Sequence, residues 1–529
     1  MRRLAVAAIS ASLLCAVAAG DWKGFVVGED GTLLLEGKPF RGIGGNFVPG
    51  TLFSGGEAVP LPEPAFAQAA ASGLPFLRIM FNGFHPVDVP ITVAERTAMM
   101  AKLDRLVNAA EANNIGLVVS FAYNPCSVPD RLGEPVGSWT NSTSATRNYY
   151  RQYVTEVVQR FANRRGIYGW EFGNELNLFV DVPGGAYTFW PTHTSLGYPA
   201  ARVPADEITN TTLRDCVAEA AALFGANDPY HRISSSGNSL PRPSAWNLRA
   251  GLGWGVDTYA QFKEMLDFQS PGTDVLSGHF YTDTPGSPYF DDLPRIAWAK
   301  QASLELGRPL VAFEWGVSGD SVATQNLFAQ YVAAIEANEV VLSSLWVFNY
   351  PLQPEWTVTP TNARAYQLTA LAAANARMKS LTPRFTANLS APPSGVVLPS
   401  QIDVDVRNPG QLVRRLKMRT DVASLLWEGR LPSKSTYDVS FKLPRFLRKT
   451  VSINASGGNV DLGAVSLFFG DLNGDNSIDM RDYNFVRASI GSVPGKRTWN
   501  PAADLNGDLA VNTLDLMMIK PNLGRVGDN

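Results

Sequence analysis

The sequence is poor in cysteine. Of three in 529 residues, Cys15 falls in an apolar leader, which leaves only Cys126 and Cys216. Two thiols can pair in an oxidising compartment, but they are no disulfide framework, so a packed core has to hold the chain together. Charge of one sign is missing too: charged residues are 18% and the formal net charge is −3. That excludes the basic field a nucleic-acid backbone needs and leaves no acidic tail. Past the N-terminus, no apolar stretch is long enough for a membrane-spanning helix.

The long apolar run that does exist opens the chain. Arg2 and Arg3 precede Leu4 to Val17, and small residues end the run at Ala16-Val17-Ala18-Ala19. This is the pattern of a signal peptide over residues 1–20, cleaved near 18–20, and its apolar part is too short to span a bilayer. Leu14 before Cys15 argues against a lipoprotein anchor, so an exported, soluble mature chain is expected. Sequons at Asn141, Asn210, Asn388 and Asn454 matter only in a host that glycosylates. The length is too great for one ordinary domain and ample for a large core. Aromatics reach 10%, with 12 Trp; core packing and stacking surfaces for sugar rings are both open readings.

Phe25-Val26-Val27 and Thr32 to Leu35 flank Gly28-Glu29-Asp30-Gly31, a hairpin expected to cover the closed end of the large domain after it. Short apolar runs then alternate with amphipathic ones. Expected strands are Arg41 to Phe47, Phe76 to Phe84, Ile115 to Tyr123, Ile167 to Asn177, Arg232 to Asn238, Val275 to Tyr281, Pro309 to Val317 and Val340 to Tyr350. Helical patterns such as Ala94 to Asn113, Thr146 to Arg164, Thr211 to Phe224 and Ala323 to Ala337 lie between them. Eight strands, each followed by a helix or long loop, predict a (β/α)8 TIM barrel over residues 21–385, with the strand C-termini as its active face.

Two of those strands end in a carboxylate. Tyr168-Gly169-Trp170-Glu171-Phe172-Gly173-Asn174-Glu175 closes the fourth, and Leu310-Val311-Ala312-Phe313-Glu314 the seventh. A glycosidic bond breaks through an oxocarbenium-like transition state, which needs a proton donor at the leaving oxygen and a carboxylate below the ring. Alone, either glutamate reads as well as a helix cap or half of an ion pair; as a pair on facing strand ends, Glu175 and Glu314 point to catalysis. A separation of about 5 Å would make the reaction retaining.

The stretch from about Gly20 to Ser380 resembles glycoside hydrolase family 5, the cellulase and β-mannanase family of retaining barrels. The motifs are Phe76-Leu77-Arg78-Ile79-Met80, Gly173-Asn174-Glu175, Ser277-Gly278-His279-Phe280-Tyr281, Phe313-Glu314-Trp315-Gly316 and Ser344-Leu345-Trp346. The resemblance implies Glu175 as acid/base and Glu314 as nucleophile, with Arg78 and Tyr281 bonding the nucleophile and His279 the acid/base. It further implies Asn174 as donor to the sugar 2-hydroxyl and Trp346 as the platform under the ring. After the third strand the family commonly places a His, where this chain has Asn124, which can donate a hydrogen bond but carries no charge. That departure bears on rate and sugar preference, and it motivates the alternative reading: a carbohydrate-binding component whose catalysis has lapsed. His85 lies where it could reach the same space; His193 and His231 read as loop residues. Trp190 and Trp254, in the loops Asp181 to Tyr198 and Trp246 to Asp257, either line subsites or pack.

Near Ala391-Pro392-Pro393-Ser394-Gly395 the composition turns into a linker, expected over residues 386–400. Alternating runs such as Gln401 to Val406 and Tyr437 to Leu443 predict a small β-sandwich over 401–467, a spacer or a carbohydrate-binding module. Arg445, Arg448 and Lys449 read as a solvated basic face.

Residues 468–529 hold a repeat. Asp471, Asn473, Asp475, Ser477, Asp479 and Asp482 recur as Asp504, Asn506, Asp508, Ala510, Asn512 and Asp515. Oxygen side chains at loop positions 1, 3, 5, 9 and 12 with a carbonyl at 7 are the ligand spacing of a calcium loop. Asn476 and Leu509 stand at the sharp-turn position, where glycine is usual; leucine there costs roughly 1–2 kcal/mol. The repeat resembles a dockerin type I domain, which implies Ca2+ and a cohesin-bearing scaffold. Positions 10 and 11 help choose the cohesin in that family; here they are Met480-Arg481 and Thr513-Leu514, unlike each other.

Overall fold

The computed structural model describes residues 24–528 apart from 29–30, 49–59, 82–88, 193, 195–197, 284, 288–290, 379–383, 397, 399–400, 409–410, 420–425 and 432–434. The expected leader, His85 and His193 lie outside the described residues.

Eight parallel strands form one sheet: β1 (Gly42–Asn46), β2 (Phe76–Met80), β3 (Gly116–Ala122), β4 (Ile167–Gly173), β5 (Ile233–Ser235), β6 (Leu276–Ser277), β7 (Leu310–Trp315) and β8 (Leu342–Leu345). Their order runs β5-β4-β3-β2-β1-β8-β7-β6. The remaining gap, between β5 and β6, is bridged just beyond the strand ends where Ser239 pairs with His279. The expected (β/α)8 barrel is therefore what the chain forms, and its last stitch is at the active face. Main helices follow each strand: α1 (Pro62–Ala71), α2 (Val93–Ala112), α3 (Ala145–Phe161), α4 (Asn210–Asn227), α5 (Tyr259–Phe268), α6 (Arg295–Leu306), α7 (Val322–Ala337) and α8 (Ala365–Met378).

Local chemistry sets these boundaries. Thr92 with Glu95 and Thr258 with Gln261 close capping boxes at the starts of α2 and α5, while Ser144 and Ser321 cap α3 and α7. Gly307 ends α6 in the left-handed conformation a C-cap requires. The strands, buried on both faces, read as continuous apolar runs because helices cover one side and the barrel interior the other. Phe25–Val27 pairs with Leu33–Leu35, and this hairpin packs Phe25 and Leu33 onto Phe76, Val118, Tyr168, Val311 and Phe313. It plugs the closed end as anticipated, leaving the strand C-termini open.

Cys126 and Cys216 are both free and buried. No disulfide joins them: the Cys216 sulfur instead accepts from the Arg147 guanidinium.

The β-sandwich begins earlier than its sequence suggests. Arg384–Leu389 lies at the boundary assigned to barrel and linker, yet it is the central strand of a three-stranded sheet with Leu426–Arg430 and Val460–Val465. Phe385, Ala387 and Leu389 alternate inward to meet Val404, Val439 and Phe441 of the four-stranded sheet, a period-2 pattern that six residues next to a proline-rich stretch hide. The same apolar core continues into α9 (Met480–Arg487) and α10 (Thr513–Ile519) through Val486, Leu505, Leu516 and Ile519. Sandwich and C-terminal repeat are one packed unit. Arg448 and Lys449 lie on this seam, where the Arg448 amide donates to Asn476 and Lys449 pairs with Asp528.

Between α4 and β5, Arg232 and Asp228 form a fully buried ion pair at 2.9 Å, and Asp228 also accepts from the Trp170 indole. Removing one partner leaves an uncompensated buried charge. Asp228→Ala is expected to lower the stability of the barrel by about 3–5 kcal/mol, measured by denaturant unfolding followed through tryptophan fluorescence.

Candidate active site

A buried guanidinium stands at the centre of the open face. Arg78, in the middle of β2, is fully inaccessible. Its Nε donates to Glu171 at 2.7 Å, Nη1 to Asn46 at 3.1 Å and Glu314 at 3.2 Å, and Nη2 to Asn174 at 2.7 Å. Four neighbours, on β1, on and just beyond β4, and on β7, are thereby fixed by one side chain. Asn46 ends β1 and in turn donates to the Phe313 carbonyl at 2.9 Å, tying β1 to β7.

The chain leaves β4 through Asn174 and turns at Glu175, which takes a left-handed φ of 52°. Such backbone strain in a non-glycine residue persists only where neighbours enforce it. Here the Glu175 amide donates to the Gly237 carbonyl and the Asn174 amide to that of Ala122. Gly237 has no room for a side chain, since a Cβ would lie 1.8 Å from the Gly173 carbonyl oxygen. Glu175 Oε1 accepts from the Ser239 hydroxyl at 2.6 Å and from His279 Nδ1 at 3.2 Å. As the donor to that oxygen His279 carries its proton on Nδ1; among the described residues its Nε2 is buried without a hydrogen-bond partner.

Glu314, on β7, is buried and accepts from Arg78 and, at 2.8 Å, from the Tyr281 hydroxyl. Oxygens of Glu175 and Glu314 and a nitrogen of His279 all lie within 4.8 Å of one another. Burial first, then the Glu175 carboxylate, push Glu314 up to about 8, against the pull of Arg78 and Tyr281. Burial likewise acts against a charge on Glu175, and it takes the hydrogen bond and charge of a protonated His279, with Ser239, to bring it below the ordinary range. Burial, however, pushes His279 below its own usual value, so the ring is neutral and much of that pull disappears. Two mutually repelling carboxylates then share one proton. Of the donors to the pair only Arg78 is certain to be charged, and it favours the negative charge on Glu314.

Trp346 follows β8 and lies against Met80, Val48 and Tyr350, with Tyr123, Tyr281 and Trp356 packed around them. Its indole donates to Gln353 at 2.8 Å. This ring of aromatics walls the open face. Asn124 sits in the turn after β3, where its Oδ1 accepts from the Cys126 amide at 2.8 Å. Of the loop tryptophans, Trp190 packs inward, donating to the Asp206 carbonyl, whereas Trp254 is 46% exposed beneath the Arg242 guanidinium.

The structure thus brings Arg78, Asn174, Glu175, His279, Tyr281 and Glu314 into one hydrogen-bonded cluster. Sequence reasoning missed Asn46, Glu171 and Ser239. Glu171 carried a signal, a lone carboxylate inside an apolar strand, four residues before Glu175. Ser239 carried none, because only barrel closure delivers it to Glu175.

The two C-terminal loops adopt one conformation twice. Asp471 Oδ1 accepts from the Gly474 amide as Asp504 Oδ1 does from Gly507. Asp482 receives the amides of Leu472 and Asn473 as Asp515 receives those of Leu505 and Asn506. Asn476 and Leu509 are both left-handed, at φ 68° and 65°, as a calcium-type loop demands of its sixth position. Asp479 and Asn512 double as N-caps of α9 and α10. Hard oxygen donors in this arrangement fit a calcium ion.

The family model of the dockerin type I domain matches residues 469–524. The C-terminal segment is a dockerin type I domain. Elsewhere the chain is similar to mannan endo-1,4-β-mannosidase A of Hypocrea jecorina, 28% identical over 132 residues, 21% of this chain and 30% of that enzyme's length. Mannan endo-1,4-β-mannosidase 8 of Oryza sativa is 25% identical over 327 residues, 54% of this chain and 78% of the relative. Among solved structures, the endo-1,4-β-mannanase of Rhizomucor miehei shares the fold with a TM-score of 0.50 at 17% identity, covering 67% of this chain and all of that one.

Replacing Tyr281 by phenylalanine removes a donor that favours ionised Glu314. The lower titration of the carboxylate pair, at which Glu314 ionises, is expected to rise, followed by infrared difference titration of the carboxylates; a shift confined to the upper titration contradicts the placement of the negative charge on Glu314.

Proposed function

We propose that this chain is a secreted retaining glycoside hydrolase of family 5 that cuts internal β-1,4 bonds of a mannan. The observation that carries the reading is the Glu175–Glu314 pair, with oxygens within 4.8 Å. An inverting site needs a gap of about 6.5–9.5 Å to hold its water, whereas direct attack needs about 5 Å. The preference for mannan over glucan is supported by the relatives that match the chain.

In this reading Glu314 attacks the anomeric carbon while Glu175 protonates the leaving oxygen. Glu175 then deprotonates the water that releases the sugar. Arg78 and Tyr281 hold Glu314 charged and aimed. Asn174 spends its carbonyl oxygen on Arg78, which leaves its amide N–H groups to donate to the sugar 2-hydroxyl. Trp346 supplies the stacking floor, and Asn124 offers its amide hydrogens where an imidazole is commoner. Hydrolysis of mannan, glucomannan and carboxymethyl-cellulose, read as reducing ends, should favour the first. Glu175→Ala and Glu314→Ala should each lose roughly 10²-fold or more; full activity in either mutant overturns the assignment.

The C-terminal unit is assigned to attachment. Asp471, Asn473, Asp475, the Ser477 carbonyl, Asp479 and Asp482 would hold one Ca2+, and Asp504, Asn506, Asp508, the Ala510 carbonyl, Asn512 and Asp515 a second. Bound calcium would neutralise the clustered carboxylates and fix both loops, presenting α9 and α10 to a cohesin on a scaffold. Export through a leader at residues 1–20 fits this role, and among the described residues no helix is long and apolar enough to cross a membrane. Leu509→Gly relieves a left-handed leucine worth about 1–2 kcal/mol. It should tighten calcium binding at the second loop roughly 5- to 30-fold, measured by isothermal titration calorimetry.

A further inference from the structure

We propose that Ser239, clasped by Asn177, is a positioning residue that selects which oxygen of Glu175 carries the catalytic proton. The inference rests on the proposed role of Glu175 as acid/base.

Two donors converge on a single oxygen of this carboxyl group. The Ser239 hydroxyl reaches Glu175 Oε1 at 2.6 Å, a short hydrogen bond, and His279 Nδ1 reaches the same atom at 3.2 Å. With both lone-pair directions of Oε1 engaged, a proton on the neutral acid belongs on Oε2. Oε2 is thereby the atom presented to the leaving oxygen.

The hydroxyl is held by backbone as well as by rotamer. Asn177, two residues beyond Glu175, accepts from the Ser239 amide at 3.1 Å and donates to the Ser239 carbonyl at 3.0 Å. This closed clasp is backed by buried amides: Asn177 also donates to Gln269 at 3.0 Å, and Gln269 donates to Asn210 at 2.7 Å. All four residues are buried. Ser239 is also the residue that pairs with His279 across the β5–β6 gap, so barrel closure and the orientation of the acid are one event.

The other charged and titratable groups around Glu175 are Glu314 across the face, His279 beside it and Arg78 behind Asn174. Tyr123, Tyr281 and Asp292 also feel its charge. Among them Ser239 is a neutral donor, so its removal alters hydrogen bonding without changing the charge of the site. Donation to Oε1 favours the ionised acid. Losing it raises the acid's titration and frees Oε1 to take the proton in the unproductive position.

The test combines turnover with a direct titration on the full-length protein. For Ser239→Ala, kcat on mannan should fall about 10-fold with KM little changed. The alkaline limb of the kcat/KM profile should move up by about one pH unit. Ser239→Thr, which keeps the hydroxyl, should restore both. In parallel, 13C NMR of glutamate carboxyls, with Glu175 assigned by its loss in Glu175→Gln, should show the same upward shift in Ser239→Ala. A Ser239→Ala enzyme of lower thermal stability with an unmoved Glu175 titration overturns the proposal and reduces Ser239 to a structural role. If wild type hydrolyses none of the glycans, the functional reading fails, while the NMR shift still decides whether Ser239 controls the Glu175 proton.

Discussion

One buried cation constrains the open face of this barrel. Taking Arg78 out of water is unfavourable unless its donors are met, and the fold meets them with two carboxylates and two amide oxygens from three other strands. Glu171 balances most of its charge inside the wall, at 2.6 Å from Nη2. The remainder is directed at Glu314. Had Arg78 faced Glu314 alone, the pair would be a simple salt bridge with a fully ionised carboxylate. Sharing the guanidinium leaves too little positive charge for Glu175 and Glu314 both to ionise freely, so the pair holds one proton.

That proton connects local backbone to chemistry. The left-handed turn at Glu175 lifts its side chain off the line of β4 and toward β6 and β7. The turn holds because Gly237 lets the chain after β5 come into backbone contact with the end of β4. The unoccupied Nε2 of His279 and its neutral ring follow from the same burial. Electrostatics here are set by close packing rather than by surface charge, consistent with a net charge of only −3 over the chain.

The C-terminal unit is built on a similar economy. Its helices are short, and neither buries enough apolar surface alone. Val486, Leu516 and Ile519 therefore share a core with the sandwich. Lys442 of the sandwich bonds Asp471 of the first loop, and Asn476, in the position where glycine is usual, accepts from the Arg448 amide at 2.7 Å. The residue that departs from the loop pattern is thus employed in joining the two halves.

Much of this architecture is legible in the chain itself. The eight strands, the carboxylates at the ends of β4 and β7, Arg78, His279, Tyr281 and both oxygen-rich loops are local patterns, and local patterns survive in a one-dimensional string. Apolar runs of five to seven residues must be strands wherever helices flank them, and a charged residue ending such a run must face the open end. The partners of those residues are not legible. That Glu171 shares Arg78 with Glu314, that Ser239 reaches Glu175, that Arg384–Leu389 belongs to the sandwich, and that Cys126 and Cys216 stay apart all depend on strand register and barrel closure. Those join residues tens to hundreds of positions apart, and no spacing in the chain records them. The sequence alone determined that Arg78, Glu175, His279, Tyr281 and Glu314 stand at the open face. Only the tertiary structure decided which of them share a proton, because a hydrogen bond is a matter of about 3 Å in space.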